Sequence, residues 1–308
     1  MLTDDVLSRL SQLSRGEVPI VAAHQSVVPA TAAATQVTEH AVQCDDVSQL
    51  PPGCEVVNTW GKHWLRERRL VDLWPHGEQW LSCEMVRLDQ LTTTDDQRPA
   101  ELQAFLAGLP GKVILLDLET CGFAGSPIFL VGLLHEQNHG WKLSQLLART
   151  YAEEKSLLQT LWTMAAGKRV LVTFNGKSFD WPMVHDRSTL HHLGEDPRAQ
   201  TPRAADIPWD GVATPPLQRH DPRPVLIHCD LLHHARRRWG KQLPDCRLQT
   251  LERHVCRRRR EEDIPGHEIP AAYHDFVRTG DAWLMRSVLH HNALDLITLL
   301  QLAMLAVQ

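Results

Sequence analysis

Two carboxylates close an apolar run in Val113-Ile-Leu-Leu-Asp117-Leu-Glu119-Thr120. In a strand, residues two apart point to the same face, so Asp117 and Glu119 project together beyond the apolar stretch. Like charges held that close are costly unless a cation neutralises them. An all-oxygen ligand set suits a hard ion such as Mg²⁺ or Mn²⁺. Alone, the pair reads equally as two solvated carboxylates at a strand exit. Further acids strengthen the first reading. Asn175-Gly-Lys-Ser-Phe179-Asp180 sets a carboxylate just after a second apolar run and its turn. Near the C-terminus, His290-His291-Asn292-Ala-Leu-Asp295 falls on an expected helix. There Asp295 is four residues from His291 and five from His290, so His291 shares its face better. Four carboxylates and an imidazole at element ends could hold two metal ions.

These groups need elements to position them. Lys112–Leu116 and Ile128–His135 are apolar runs of strand length, and Trp141–Leu147 is a third candidate. Glu153–Ala165 carries Leu157, Leu158, Leu161, Trp162 and Ala165 on one helical face. Arg169–Phe174 reads as a strand ended by the turn Asn175-Gly176, with a helix following Phe179 and Pro182 in its first turn. Val225–His228 reads as a strand, Asp230 opens a helix to about Trp239, and Ala282–Val307 reads as one long helix or two broken ones. Seven prolines in 197–224 predict an irregular loop. Strand–helix alternation of this kind predicts an α/β domain with a mixed sheet.

The N-terminal third is less patterned. Asp4–Leu13 has helical spacing, Val21–Val42 has no clear period, and the polar stretch Thr92–Pro99 reads as a boundary. Trp60, Trp64, Trp74 and Trp80 lie in short mixed runs that fit strands or a small lobe. Beside Arg66, Arg68 and Arg69 such rings could stack on bases, although buried packing is the commoner fate of tryptophan.

Asp117-x-Glu119-Thr120, Asn175-x-x-x-Phe179-Asp180 and His290/His291 before Asp295 resemble the three exonuclease motifs of the DEDD, or DnaQ-like, superfamily. His228-Cys-Asp230-Leu-Leu-His-His-Ala-Arg236-Arg-Arg-Trp239 and Leu248-x-x-Leu251-Glu252 resemble the YprB-type, RNase H-like family of bacterial proteins. So do Asp263-Ile-Pro265-Gly266-His-Glu-Ile269-Pro270-x-x-Tyr273 and His291-Asn292-x-x-Asp295. The resemblance covers about 111–305 and implies a ribonuclease H-like fold, a mixed central β-sheet flanked by helices with a small N-terminal accessory region. The implied organisation is an N-terminal helix and flexible linker (1–54), a small accessory lobe (55–104) and an RNase H-like exonuclease domain (105–308).

By the same resemblance Asp117, Glu119, Asp180 and Asp295 coordinate two ions, Mg²⁺ or Mn²⁺, and a histidine orients or deprotonates the attacking water. Glu119 belongs to that catalytic group, and the spacing leaves His290 and His291 as alternatives, with His291 preferred. Thr120, Asn175 and Phe179 would position the terminal nucleotide, Phe179 reading equally as core. The implied activity is 3′–5′ hydrolysis of single-stranded DNA or RNA. The rivals are a catalytically idle nucleic-acid-binding or scaffolding protein of the same fold, and an endonuclease.

Charge distribution supports a polyanionic partner. Ten Lys/Arg stand against three acids between His228 and Arg260, in a chain of formal charge −5. Arg257–Arg260 reads equally as a solvated run paired with Glu261, Glu262 and Asp263, which leaves Arg236–Arg238 as the better phosphate contacts, Arg236 and Arg237 first. The overall charge excludes a globally basic coat protein. The adjacent histidine pairs lack H-x-x-x-H spacing or a matching cysteine, so no structural zinc is expected. Lys177 lacks the surrounding G-x-x-x-x-G-K-[ST] loop, so no nucleotide cofactor is expected. Seven scattered cysteines without C-x-x-C predict reduced thiols. With no stretch of about 20 apolar residues and an acidic N-terminus, a soluble cytoplasmic protein without membrane contact is the expectation. No feature fixes an oligomeric state.

Overall fold

In the computed structural model the described residues are 48–91, 97–122, 125–137, 140–193, 223–260 and 263–308. The expected helix Asp4–Leu13, the Val21–Val42 segment, 92–96 of the polar boundary, 197–222 of the proline-rich loop, and Glu261 and Glu262 lie outside them.

Among the described residues, seven strands make one mixed sheet: β1 (Cys54–Asn58), β2 (Gly61–Arg69), β3 (Val113–Thr120), β4 (Ile128–Gln137), β5 (Gly140–Leu147), β6 (Val170–Thr173) and β7 (Ile227–Asp230). Their spatial order is β1-β2-β5-β4-β3-β6-β7. The pairings from β1 through to β3 are antiparallel, while β3, β6 and β7 run parallel. The tryptophan-rich segment therefore contributes a hairpin to the main sheet.

The helices are α1 (Leu70–Leu73), α2 (Gly77–Leu91), α3 (Ala100–Gly108), α4 (Glu154–Ala165), α5 (Asp180–Leu190), α6 (Leu231–Trp239), α7 (Leu248–His254), α8 (Ile269–Thr279) and α9 (Trp283–Ala306). The strict alternation of β3 sorts them. Ile114, Leu116 and Leu118 enter one apolar cluster with Leu157, Leu158, Leu161 and Trp162 of α4 and Tyr273 of α8. Val113 and Leu115 enter the other, with Leu102 and Phe105 of α3, Leu231 of α6 and Leu296–Leu300 of α9. Each fully buried leucine contributes about 2 kcal/mol. Asp117 and Glu119 continue the odd-numbered face and so point toward α9.

The expected long C-terminal helix is one continuous element of 24 residues. By length and composition it is apolar enough to cross a bilayer, contrary to the sequence expectation, but 78% of that apolar window is buried inside the fold. Its apolar side chains are used by both clusters.

Packing also claims the tryptophans offered above for base stacking. Trp64 is buried, and Trp74 and Trp80 lie against each other with centroids 5.5 Å apart. Trp60 carries Lys155 over its ring at 3.7 Å, and Arg69 is paired with Asp72 at 2.9 Å.

Candidate active site

Strand β3 delivers Asp117 and Glu119 at its C-terminal end, where a register shift lies between Glu119 and Thr120. Helix α5 delivers Asp180 as its first residue, and α9 delivers His291, Asn292 and Asp295 on one face. The fold brings these acids together: Asp117 feels the charges of Asp295, Glu119 and Asp180. Glu119 feels those of His291, Asp295, Asp180 and Asp263.

Burial first and this mutual repulsion second push the Asp117 carboxyl well above the ordinary aspartate range. Glu119 is pushed up to about 8, burial leading and the Asp295 and Asp180 charges adding, against the opposing pull of His291. Burial likewise raises Asp180 to about 7, with Asp230 and Asp295 adding and hydrogen bonds from the backbone at Asp180 and Leu118 opposing. Acids that retain protons near neutrality are short of positive charge. An all-oxygen donor set in that condition fits hard divalent cations.

Asp117, Asp180 and Asp295 are held by different devices. Asn292 donates from Nδ2 to Asp117 Oδ2 at 2.9 Å, and Gln145 of β5 donates from Nε2 to Asn292 Oδ1 at 3.1 Å and to the Leu289 carbonyl at 2.6 Å. This chain crosses β4 at Gly132, where a Cβ would lie 2.2 Å from Asn292 Oδ1, so only glycine admits it. Asp180 is placed by the turn before α5. Asn175 there has φ +64°, a left-handed conformation that asparagine tolerates. The buried Asp230 carboxylate accepts the N–H of Asn175 at 2.8 Å and of Lys177 at 3.0 Å, and also caps α6 through the Leu232 N–H at 3.1 Å.

Asp295 meets two cationic groups. Arg260 donates to Asp295 Oδ1 and also pairs with Glu252 at 2.5 Å and Asp263 at 3.1 Å. His291 sets Nδ1 2.8 Å from Asp263 Oδ1 and Nε2 3.4 Å from Asp295 Oδ2. Burial alone would lower the His291 value. Its hydrogen bonds to Asp263 and Asp295 and the charges of Asp295 and Glu119 outweigh that and raise it to about 10. Of the two candidate histidines, His291 faces the acids, whereas His290 is exposed.

The remaining sequence-predicted residues are spread more widely. Thr120 is buried and its hydroxyl donates to the Gly122 carbonyl at 3.0 Å. Phe179 is 39% exposed beside Asp180, which removes the core reading. Asn175 is exposed. Arg236 and Arg237 are exposed on the last turn of α6. From that same turn Arg238 reaches the Ala306 carbonyl, roughly 16 Å along α9 from Asp295 at 1.5 Å per residue.

Arg258 and Arg260 correct the solvated part of the reading of this run, while its expected pairing with Asp263 is present at Arg260. Both fold back onto Glu252, Arg258 at 2.7 Å, and Glu252 itself is buried. Spacing gave no hint of Arg260, Gln145 or Gly132 as parts of the site, and Asp263 stood out only as the start of the Asp263–Tyr273 motif, without a role.

The RNase_H_2 family model, described as RNase_H superfamily, matches residues 114–307. An uncharacterised protein, YprB of Bacillus subtilis (strain 168), is 32% identical over 194 residues, a match spanning 62% of this chain and 41% of that protein. Among solved structures, the family B DNA polymerase of the hyperthermophilic archaeon Pyrobaculum calidifontis aligns at 16% identity and a TM-score of 0.44, over 63% of this chain and 24% of that one.

Proposed function

The chain belongs to the RNase_H superfamily, and from that premise we propose that it is a metal-dependent 3′–5′ exonuclease of the DEDD type acting on single-stranded DNA or RNA. The observation that carries this reading is the convergence of Asp117, Glu119, Asp180 and Asp295 around His291, with three of the four carboxyls raised toward neutrality. We assign the activity to residues 105–308, with β1 and β2 extending the sheet of that domain.

The four carboxylates are the residues that would hold two Mg²⁺ or Mn²⁺ ions. When bound, such ions supply a water of lowered pKa and positive charge for the attacking and leaving oxygens at phosphorus. The protein's own groups do the rest. Asp263 takes the Nδ1 proton of His291 in a hydrogen bond and so fixes the ring with Nε2 toward Asp295. Nε2 is the atom we assign to receive the proton of the attacking water. It does so once the anionic field of Asp295 and Glu119, which otherwise keeps His291 protonated, is neutralised. Asn292 keeps Asp117 aimed at the cleft. Phe179, exposed next to Asp180, offers a face on which a terminal base stacks. Arg236 and Arg237 would contact phosphates farther along the strand.

The test is degradation of a labelled oligonucleotide with Mn²⁺. Asp117→Ala and Asp180→Asn are expected to abolish it while far-ultraviolet circular dichroism is unchanged. Cleavage by either pure variant at the wild-type rate sinks the assignment, and cleavage of a circular substrate turns it toward an endonuclease.

One observation favours the idle binding protein instead: Arg260 already neutralises Asp295. Oligonucleotide binding without turnover at any Mn²⁺ concentration would decide for that rival. The six described cysteines are all unpaired, which supports a reducing compartment, and we place the protein in the cytoplasm.

A further inference from the structure

Where α3, β7 and α6 come together, three potential ligands of three chemical kinds meet. Glu101 lies in the first turn of α3, Cys229 on β7 and His234 on α6. One carboxylate oxygen, one sulfur and one imidazole nitrogen lie within 4.8 Å of one another. The Cys229 side chain is fully buried and that of His234 nearly so. His234 Nε2 is 3.0 Å from Glu101 Oε2, and the other Glu101 oxygen is taken by Lys177. Cys229 and His234 stand five residues apart, a strand end and the following helix, with Glu101 arriving from more than a hundred residues away. The sequence reading found no cysteine matched to a histidine because it required helical or finger spacing. The close approach of α3 to β7 completes the set.

We propose that Glu101, Cys229 and His234 form a site for a single Zn²⁺ ion, separate from the carboxylate cluster and independent of the nuclease reading. Mixed S, N and O donors select a borderline-soft ion over Mg²⁺ or Mn²⁺. Ligand atoms around tetrahedral zinc stand about 3.3–3.6 Å apart, given bond lengths of 2.0–2.3 Å. The His234–Glu101 pair therefore opens by a few tenths of an ångström to admit the ion. Occupancy sends the Cys229 thiol proton to solvent and leaves His234 bound through the Nε2 lone pair with its proton on Nδ1. A water fills the fourth position.

The location gives the ion a role in the architecture. Glu101 keeps one oxygen for Lys177, whose backbone N–H is held by Asp230. A filled site ties α3, β7 and α6 to the turn that carries Asp180.

The experiment uses the full chain, stripped with a chelator and titrated with Co²⁺ as the spectroscopic stand-in for zinc. One equivalent is expected to give a thiolate-to-cobalt charge-transfer band with tetrahedral visible bands, displaced by one equivalent of Zn²⁺. Asp117→Asn is expected to keep the band. His234→Gln and Cys229→Ser are expected to lose it, His234→Gln serving where the buried cysteine variant fails to fold. Zinc is expected to raise the thermal midpoint of wild type by about 5 °C and that of His234→Gln by less than 1 °C. No thiolate band in wild type, or a band of unchanged intensity in both His234→Gln and Cys229→Ser, overturns the site.

Discussion

Replacing Glu119 by glutamine removes one member of an overcrowded group of acids, and the sign of its effect follows from the protonation shift. Glu119 rises from 4.5 to about 8 on folding. A raised acid contributes stability that is fully present below its unfolded value and is lost as the pH climbs through its folded value. The cation-free wild type therefore loses stability between about pH 4.5 and pH 8 at this residue, and Glu119→Gln does not. The ceiling on the difference is roughly 5 kcal/mol at 1.36 kcal/mol per pH unit. Glu119 is only half-buried, and solvent screening brings the expected gain to about 2 kcal/mol. Asp180, raised to about 7, adds the same sign at lower pH, and His291, raised to about 10, adds it at higher pH. The assay is urea unfolding in EDTA at pH 5 and pH 8.5. The variant is expected to match wild type at pH 5 and to exceed it at pH 8.5. Adding Mg²⁺ at pH 8.5 closes the gap, because the cation neutralises the wild-type acids. An equal gain at both pH values, or none at pH 8.5, refutes the claim that these carboxyls repel one another in one pocket.

Asn292→Ala removes the amide donor from Asp117 Oδ2 and leaves Gln145 Nε2 with the Leu289 carbonyl alone, and is expected to cost about 2–3 kcal/mol by chemical denaturation. Gly132→Ala disturbs the same chain, so the double variant with Asn292→Ala is expected to lose less than the two single losses combined. Arg260→Met leaves Glu252 with Arg258 alone and Asp295 with His291 alone, and is expected to destabilise the cation-free protein by about 1–3 kcal/mol. Mn²⁺ is expected to stabilise that variant more than wild type, measured as the midpoint shift on titration. Arg236→Ala with Arg237→Ala is expected to raise KM for oligonucleotides and to flatten its salt dependence with kcat unchanged, as steady-state rates at two salt concentrations will show.

Where the signal was local, the sequence carried it. The β3 alternation put Asp117 and Glu119 on one face, and the four-residue step put His291 rather than His290 beside Asp295. Both were legible because periodicity is a property of a single element. The partners of those residues were not. Gln145, Gly132 and Asn292 meet because β4 and β5 lie between β3 and the start of the sheet under α9, an order fixed by pairing and not by spacing. Arg260 read as one of four similar arginines. Only the path of the chain after α7 decides that Arg258 and Arg260 turn inward to Glu252 while Arg257 and Arg259 stay exposed. For the tryptophans the commoner expectation, packing against neighbours, held at Trp64, Trp74 and Trp80, although composition does not say which rings meet.

Charge balance explains why the cluster can fold at all. Asp117, Glu119, Asp180, Asp263 and Asp295 brought together without positive charge would repel strongly enough to oppose closure of α9 on β3. Two internal cations reduce that cost. Arg260 spans Glu252, Asp263 and Asp295, and His291 spans Asp263 and Asp295. Both stand on the Asp295 side, whereas Asp117 is met by the neutral amide of Asn292 and Asp180 by backbone N–H groups. The deficit of positive charge is thus concentrated at Asp117, Glu119 and Asp180, the three carboxyls that burial and mutual repulsion push upward. If the pocket takes a divalent cation, Asp117, Glu119 and Asp180 are the acids that would gain most from it, because Asp295 already has Arg260 and His291 as partners.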